Sequence, residues 1–142
     1  MILVDTTVLS YAVGEEHPLR VPCRRVLAAH GSGRINATST VEVLQEFAHV
    51  RAGRRPRNDA VTLARQYAAA FALIVTQPED LDLGLTLFEA HPGLGAFDAV
   101  LAAVAINRHA DALISADAAF GGVPGVVWID PATVALEHLL GD

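Results

Sequence analysis

Four acidic residues, Asp5, Glu46, Asp98 and Asp117, stand among apolar neighbours, where a carboxylate is costly to bury without a partner. Asp5 ends the run Ile2-Leu3-Val4, Asp98 lies in Ala96-Phe97-Asp98-Ala99-Val100-Leu101, and Asp117 follows Leu113-Ile114-Ser115-Ala116. Glu46 comes four residues after Glu42, so the two lie about 40° apart around a helix axis. Glu46 falls at the rim of the face formed by Val43, Leu44, Phe47 and Val50, and Glu42 lies further into the polar arc with His49. Taken singly, each acid has an ordinary reading. Asp5 and Asp117 suit the cap of a following helix or turn, Asp98 gains from a helix dipole, and Glu46 suits solvent. Ser39-Thr40-Val41-Glu42 matches a capping box, which would use the Glu42 carboxylate to close a helix start. Brought together, the four acids would repel one another unless they held cations. An all-oxygen donor set suits Mg²⁺, with Mn²⁺ as its substitute. Sites of this kind carry phosphodiester hydrolysis, in which one ion activates a water and both stabilise the attacking and leaving oxygens.

Other chemistries lack their residues. The six His are scattered at no zinc spacing. There is no Ser-His-Asp or Cys-His arrangement, no Walker loop and no dinucleotide fingerprint. All ten basic residues are Arg and the net charge is −6, so bulk charge does not signal a nucleic-acid partner. Two divalent cations would move the charge to about −2, close to where a phosphate must bind. Arg51, Arg54, Arg55 and Arg57 form the only dense basic cluster. It reads equally as a solvated helix end suited to the C-terminal dipole and as a contact for an RNA backbone.

The elements that must position these residues alternate between strand and helix. Ile2-Leu3-Val4 reads as a strand buried on both faces, ending at Asp5 where open α/β sheets build their sites. A short helix follows to about Val13, then an amphipathic helix over 19–30, a strand at 35–38 and a helix from about 40 to 52. A helix from 59 to 71 leads to a third strand, Leu73-Ile74-Val75-Thr76. Pro78 opens a helix with Leu81, Leu85 and Phe88 on one face. The segment 96–109 is apolar almost all round, which predicts a deeply packed helix. Ala112-Leu113-Ile114 and Val126-Val127-Trp128-Ile129 are the fourth and fifth strands, and Asp130-Pro131 is expected to cap the last helix. With 142 residues and no linker, the chain is expected to be one α/β domain with a parallel sheet, spanning 1–142. A strand this close to residue 1 leaves no room for a leader, and the single Cys23 fits a reducing compartment, so a cytoplasmic location is expected. No apolar run approaches the roughly 18 residues that span a bilayer. Cys23, Trp128, Phe71 and Phe88 read as packing.

In order along the chain, Ile2-Leu3-Val4-Asp5-Thr6-Thr7-Val8-Leu9, Thr40-Val41-Glu42-Val43-Leu44-Gln45-Glu46-Phe47, Phe97-Asp98-Ala99-Val100-Leu101 and Leu113-Ile114-Ser115-Ala116-Asp117 resemble the four motifs of a PIN domain. More narrowly, the chain is similar to the VapC-type toxins of toxin–antitoxin pairs. The resemblance implies metal binding by Asp5, Glu46, Asp98 and Asp117, preferring Glu46 to Glu42. Ser115 matches a small hydroxyl residue often found near the last acid, and Thr7 stands where many members have a polar residue. It further implies a three-layer α/β/α fold with a five-stranded parallel sheet ordered 3-2-1-4-5, Mg²⁺-dependent endoribonuclease activity, homodimerisation, and inhibition by a small cognate antitoxin. A phosphatase of the haloacid-dehalogenase type would need an acid where Thr7 stands. A receiver domain would need an Asp on the third strand, which has none. A non-catalytic module of the same fold would need no metal, and a divalent-cation titration separates it from a nuclease. An acidic site is also a receptor for a guanidinium, and the helices over 19–30 and 41–52 offer apolar faces along which an antitoxin tail could lie, with an Arg or Lys directed at Asp5 and Asp98.

Overall fold

The first strand, β1 (Ile2–Val4), is buried at all three positions because a parallel strand flanks it on each side. The computed structural model describes residues 1–141. β1 is followed by α1 (Thr6–Val13), α2 (Arg20–Gly31), β2 (Ala37–Thr38), α3 (Val41–Ala52), α4 (Arg57–Ala70), α5 (Pro78–Ala90), α6 (Ala96–Asn107) and β3 (Ala112–Ile114). A 3₁₀ turn over Ala118–Gly122, β4 (Trp128–Ile129) and α7 (Val134–Leu140) complete the described chain. α1 stops at Gly14, where a Cβ would lie 2.9 Å from the Ser10 carbonyl oxygen.

The sheet is parallel with the order β2-β1-β3-β4, and Val4 is in register with Ile114. Parallel pairing puts the carboxyl ends of β1 and β3 side by side, so Asp5 and Ser115 leave the sheet as neighbours. The expected fifth strand is corrected here. Leu73-Ile74-Val75-Thr76 lies beside the second strand as anticipated, but makes only one bridge, between Thr40 and Ile74. The reason is local. Val75 is 64% exposed and has no face to bury, the Ala72 carbonyl accepts from Thr38 Oγ1 at 2.7 Å, and Thr76 turns its hydroxyl to Glu42. The Ala72 carbonyl is thus taken by a side chain, and the segment joins its neighbour through the Ile74 N–H, which donates to the Ser39 carbonyl at 2.9 Å.

α6 is the packed helix that its sequence predicts, with Ala99 and all of residues 101–105 buried. α5 crosses it closely at Gly84, where a Cβ would stand 2.8 Å from Val100 Cγ2. Asp80, fully buried, closes the start of α5 through a capping box with Gln77 and also accepts from Arg108 and Asn107 at 2.9 Å each. With Gly84 and Leu87 turned inward, Leu81, Leu85 and Phe88 share the outer face of α5 and are exposed. Thr133, and not Asp130, stands at the N-cap position of α7, where its side chain makes no cap bond. Asp130 makes the preceding turn, accepting from the Ala132 N–H and the Thr133 hydroxyl. Among the described residues, no helix is long and apolar enough to cross a membrane.

Candidate metal and phosphodiester site

Asp5 stands at the N-cap position of α1 but does not cap it. Its Oδ2 accepts instead from Ser115 Oγ at 2.7 Å and from Thr7 Oγ1 at 3.0 Å. The two hydroxyls are themselves held. The Ala116 N–H donates to Thr7 Oγ1 and the Asp117 N–H to Ser115 Oγ, both at 3.0 Å. Ser115 is fully buried and Asp5 nearly so. One carboxylate oxygen is therefore fixed by hydrogen bonds, and the other has no protein partner among the described residues.

Two further acids are anchored in a similar way. Glu46 accepts at Oε2 from Thr6 Oγ1 at 3.0 Å, which ties α3 to the first turn of α1. Asp117 accepts at Oδ1 from the Ala119 N–H at 2.9 Å, so its capping reading holds for one oxygen only. Asp98, in the first turn of α6, makes no cap bond. Its pKa is pushed up to about 7, first by burial, then by the negative charges of Asp5, Glu46 and Asp117 and by a hydrogen bond to Asp117. The four carboxylates line one cleft of about 430 Å³ at the carboxyl end of β1 and β3.

Donor chemistry and charge fit this cleft to a divalent cation. It holds four carboxylates and no sulfur ligand, and Asp5 and Glu46 each keep one oxygen in hydrogen bonds and one outside them. Among the described residues, no three acidic, His or Cys side chains converge tightly enough to enclose an ion as they stand.

Glu42 does not close a capping box. Thr40 is the N-cap and accepts from the Val43 N–H, and the Glu42 carboxylate accepts from Thr76 Oγ1 at 2.8 Å. It lines a second cleft of about 540 Å³, which shares Asp5, Glu46 and Asp98 with the first and is otherwise walled by Val43, Leu81, Phe97, Val100, Leu101 and Val104. Phe97 projects there, 75% exposed. The arginines separate. Arg51 is bound to Asp59 at 2.6 Å and to the Val13 carbonyl at 3.1 Å, which locks α3, α4 and the end of α1 together. The Asp59 carboxyl is held below its usual range chiefly by that hydrogen bond. Arg55 lies 3.8 Å from Glu15, and Arg57 is exposed. Arg54 alone of the four lines the cleft of the acids.

Sequence reasoning passed over Thr6, whose hydroxyl aims Glu46. Its signal was its place in the turn after Asp5, but only a tertiary contact distinguishes it from Thr7. Cys23 is fully buried, and burial pushes its thiol up to about 12, so it is inert packing.

A family profile described as "PIN domain" matches residues 2–126. The chain is 50% identical to "Ribonuclease VapC7" of Mycobacterium tuberculosis over 150 aligned positions, covering 100% of this chain and 99% of that protein. Its fold is similar to a chain of a toxin–antitoxin complex from Klebsiella pneumoniae, with a TM-score of 0.70, 19% identity and coverage of 92% and 98%. VapBC2 from Rickettsia felis, bound to a DNA fragment from the promoter, superposes with a TM-score of 0.69 at 15% identity, covering 92% of this chain and 98% of that one.

Proposed function

This chain belongs to the PIN-domain family, in its VapC ribonuclease branch, and on that premise we propose that it is a Mg²⁺-dependent endoribonuclease acting as the toxin of a toxin–antitoxin pair. The observation that carries the reading is that Asp5, Glu46, Asp98 and Asp117 line one cleft, where burial first and then the charges of the other three acids raise the pKa of Asp98. Asp5 and Glu46 would hold the cation through the oxygen that each keeps out of hydrogen bonds, with Asp98 and Asp117 completing the set. When bound, divalent cations supply an activated water and neutralise charge on the phosphoryl oxygens. The chain's own part is orientation. Thr7 and Ser115 fix the Asp5 carboxylate, Thr6 fixes Glu46, and the Ala119 N–H fixes Asp117, so the donors are aimed before substrate arrives. Asp98, whose pKa burial and its neighbours push up to about 7, would give up its proton on holding a cation.

The partner reading rests on the apolar cleft. Val43, Leu81, Phe97, Val100, Leu101 and Val104 offer a trough for the apolar side chains of a short antitoxin segment, and the acids at its end receive a guanidinium. The protein would work as a single domain over 1–142 on cytoplasmic RNA. A second copy would cover Leu85 and Phe88 on the outer face of α5, which are 54% and 47% exposed.

The decisive experiment is expression in cells with sequencing of RNA 5′ ends. Wild type should produce new, cation-dependent ends, and Asp98→Asn should produce none while remaining folded. Co-expression of the neighbouring small open reading frame should suppress them. If wild type and Asp98→Asn give the same RNA ends, the nuclease reading is wrong. If only the neighbour fails to bind, the antitoxin reading is wrong.

A further inference from the structure

The cleft that holds the four acids is the seam between α1 and α3. The two helices run side by side in the same direction, as the contacts Thr6–Glu46, from the start of α1 to the middle of α3, and Val13–Arg51, at the ends of both, require. One wall is a single stripe of α1, since Thr7, Ser10, Tyr11 and Gly14 follow the i, i+3, i+4, i+7 spacing and all line the cleft. The other wall is Glu46 and Val50 of α3, continued by Arg54 beyond its end. Tyr11 is six residues past Asp5, about 9 Å along the helix. The seam therefore leads from the acids to a second group of functional side chains that the hydrolytic site does not use.

That group has a platform and a cation. The His17 ring stacks on Tyr11, with centroids 4.5 Å apart and planes inclined by 29°. It is immobilised by the Leu19 N–H, which donates to its Nδ1 at 3.1 Å. His17 is exposed, so its outer face is open. Arg54 is exposed and makes no ion pair among the described residues, whereas Glu15, the nearest acid in sequence to Gly14, faces Arg55. Glu16 remains as an acceptor for amino groups on a base edge.

We infer that the Tyr11–His17 pair and Arg54 form a nucleotide subsite of this cleft, the rings receiving a base by stacking and Arg54 the adjoining phosphate of a single-stranded RNA. The inference rests on the ribonuclease reading of the acids. Single-strand binding generally combines an aromatic face with a cation that tracks the backbone, and both occur here in the cleft of the acids. The competing aromatic is Phe97, on the opposite side of Asp98. Its cleft is apolar, is bordered by Glu42 and Glu46 and contains no Arg, so it suits a protein segment and not a phosphodiester.

The test uses the full chain and a short RNA carrying one 5-iodouridine beside a phosphorothioate linkage, which Mg²⁺-assisted hydrolysis cuts slowly. Irradiation of the complex should attach the RNA to Tyr11 or His17, located by mass spectrometry. With a cleavable RNA, His17→Ala and Tyr11→Ala should each raise KM by about 5- to 150-fold, the range for losing one base stack. His17→Phe should recover most of that loss. Arg54→Gln should flatten the dependence of log binding on log salt by about 0.7 unit. His138→Ala, which lines neither cleft, serves as the control. A crosslink confined to Phe97, or KM values in both alanine variants equal to the control, overturns the subsite. Binding of a basic peptide in the seam with no RNA crosslink would make it a protein site and overturn it equally. If wild type cleaves no RNA at all, the nuclease reading falls, and the crosslink still decides whether RNA lies on the rings.

Discussion

Ser115 donates its hydroxyl to Asp5 Oδ2 at 2.7 Å, joining the ends of two neighbouring strands that are 110 positions apart in sequence. The bond is fully buried, and Ser115 in turn accepts from the Asp117 N–H, so one hydroxyl orients two of the four acids. Ser115→Ala should therefore reduce cation affinity and cleavage by about 10- to 100-fold, the usual effect of losing a group that orients a ligand. Ser115→Thr, which keeps the hydroxyl, should lose less if the extra methyl is accommodated. Isothermal titration with Mg²⁺ or Mn²⁺ alongside RNA cleavage checks both. A wild-type cation affinity in Ser115→Ala would mean that Thr7 alone suffices to fix Asp5.

The two glutamates of α3 should separate cleanly. Glu46→Gln should lose cleavage by orders of magnitude, because it removes a charge from the cleft that the acids share. Glu42→Gln should remain close to wild type, since its amide oxygen can still accept from Thr76. Single-turnover cleavage of one RNA by both variants gives the ranking, and the reverse order would transfer the site to the apolar cleft.

Stability of the metal-free protein should fall as pH rises from about 4 to about 7. Asp98 titrates near 3.8 when unfolded and near 7 when folded, so across that window the native state holds a proton that the unfolded state has released. The preference of the fold for neutral Asp98 is complete below the unfolded value and is lost as pH passes the folded one. Asp98→Asn should flatten the slope, and saturating divalent cation should reverse it by favouring the ionised form. Denaturant midpoints at pH 4, 5.5 and 7 with chelator present are the measurement.

Asp80 should work in the opposite sense. Burial raises its pKa, but the Gln77 N–H, Arg108 and Asn107 together outweigh burial and hold it below the usual carboxylate range. Its contribution is therefore present at neutral pH and lost as pH falls through its folded value. Asp80→Ala strands the Arg108 guanidinium and opens the start of α5, at a cost of about 3–5 kcal/mol, the range for breaking a buried pair. Thermal unfolding at pH 7 tests this. A change under about 1 kcal/mol would mean that solvent reaches Arg108 and compensates.

Gly84→Ala should destabilise by about 1–3 kcal/mol, because the new Cβ meets the backbone and side chain of Val100 where α5 crosses α6. Cleavage should fall with it only as far as the folded fraction does, since Gly84 touches none of the acids. A normal melting temperature would show that the two helices can separate without loss.

What the sequence determined by itself was whatever depends on residue type within a few positions. Three apolar residues before Asp5, the all-apolar 96–107 segment and the strand Ala112–Ile114 declare their burial, because hydrophobic patterning is a local code. With β1 and β3 parallel neighbours, Asp5 and Asp117 must emerge at the same edge, so their proximity was also foreseeable. Tertiary contact alone decided the rest. Whether Leu73-Ile74-Val75-Thr76 became a strand depended on Thr38 taking the Ala72 carbonyl just before it and on Val75 being left exposed, which no propensity encodes. Whether Arg51 faced solvent depended on Asp59 arriving from the next helix, and whether Leu81, Leu85 and Phe88 faced inward depended on Gly84 being the closer fit to Val100. A threonine that aims Glu46 and a histidine stacked on Tyr11 carry no signature of their own, because each role exists only once two distant surfaces meet.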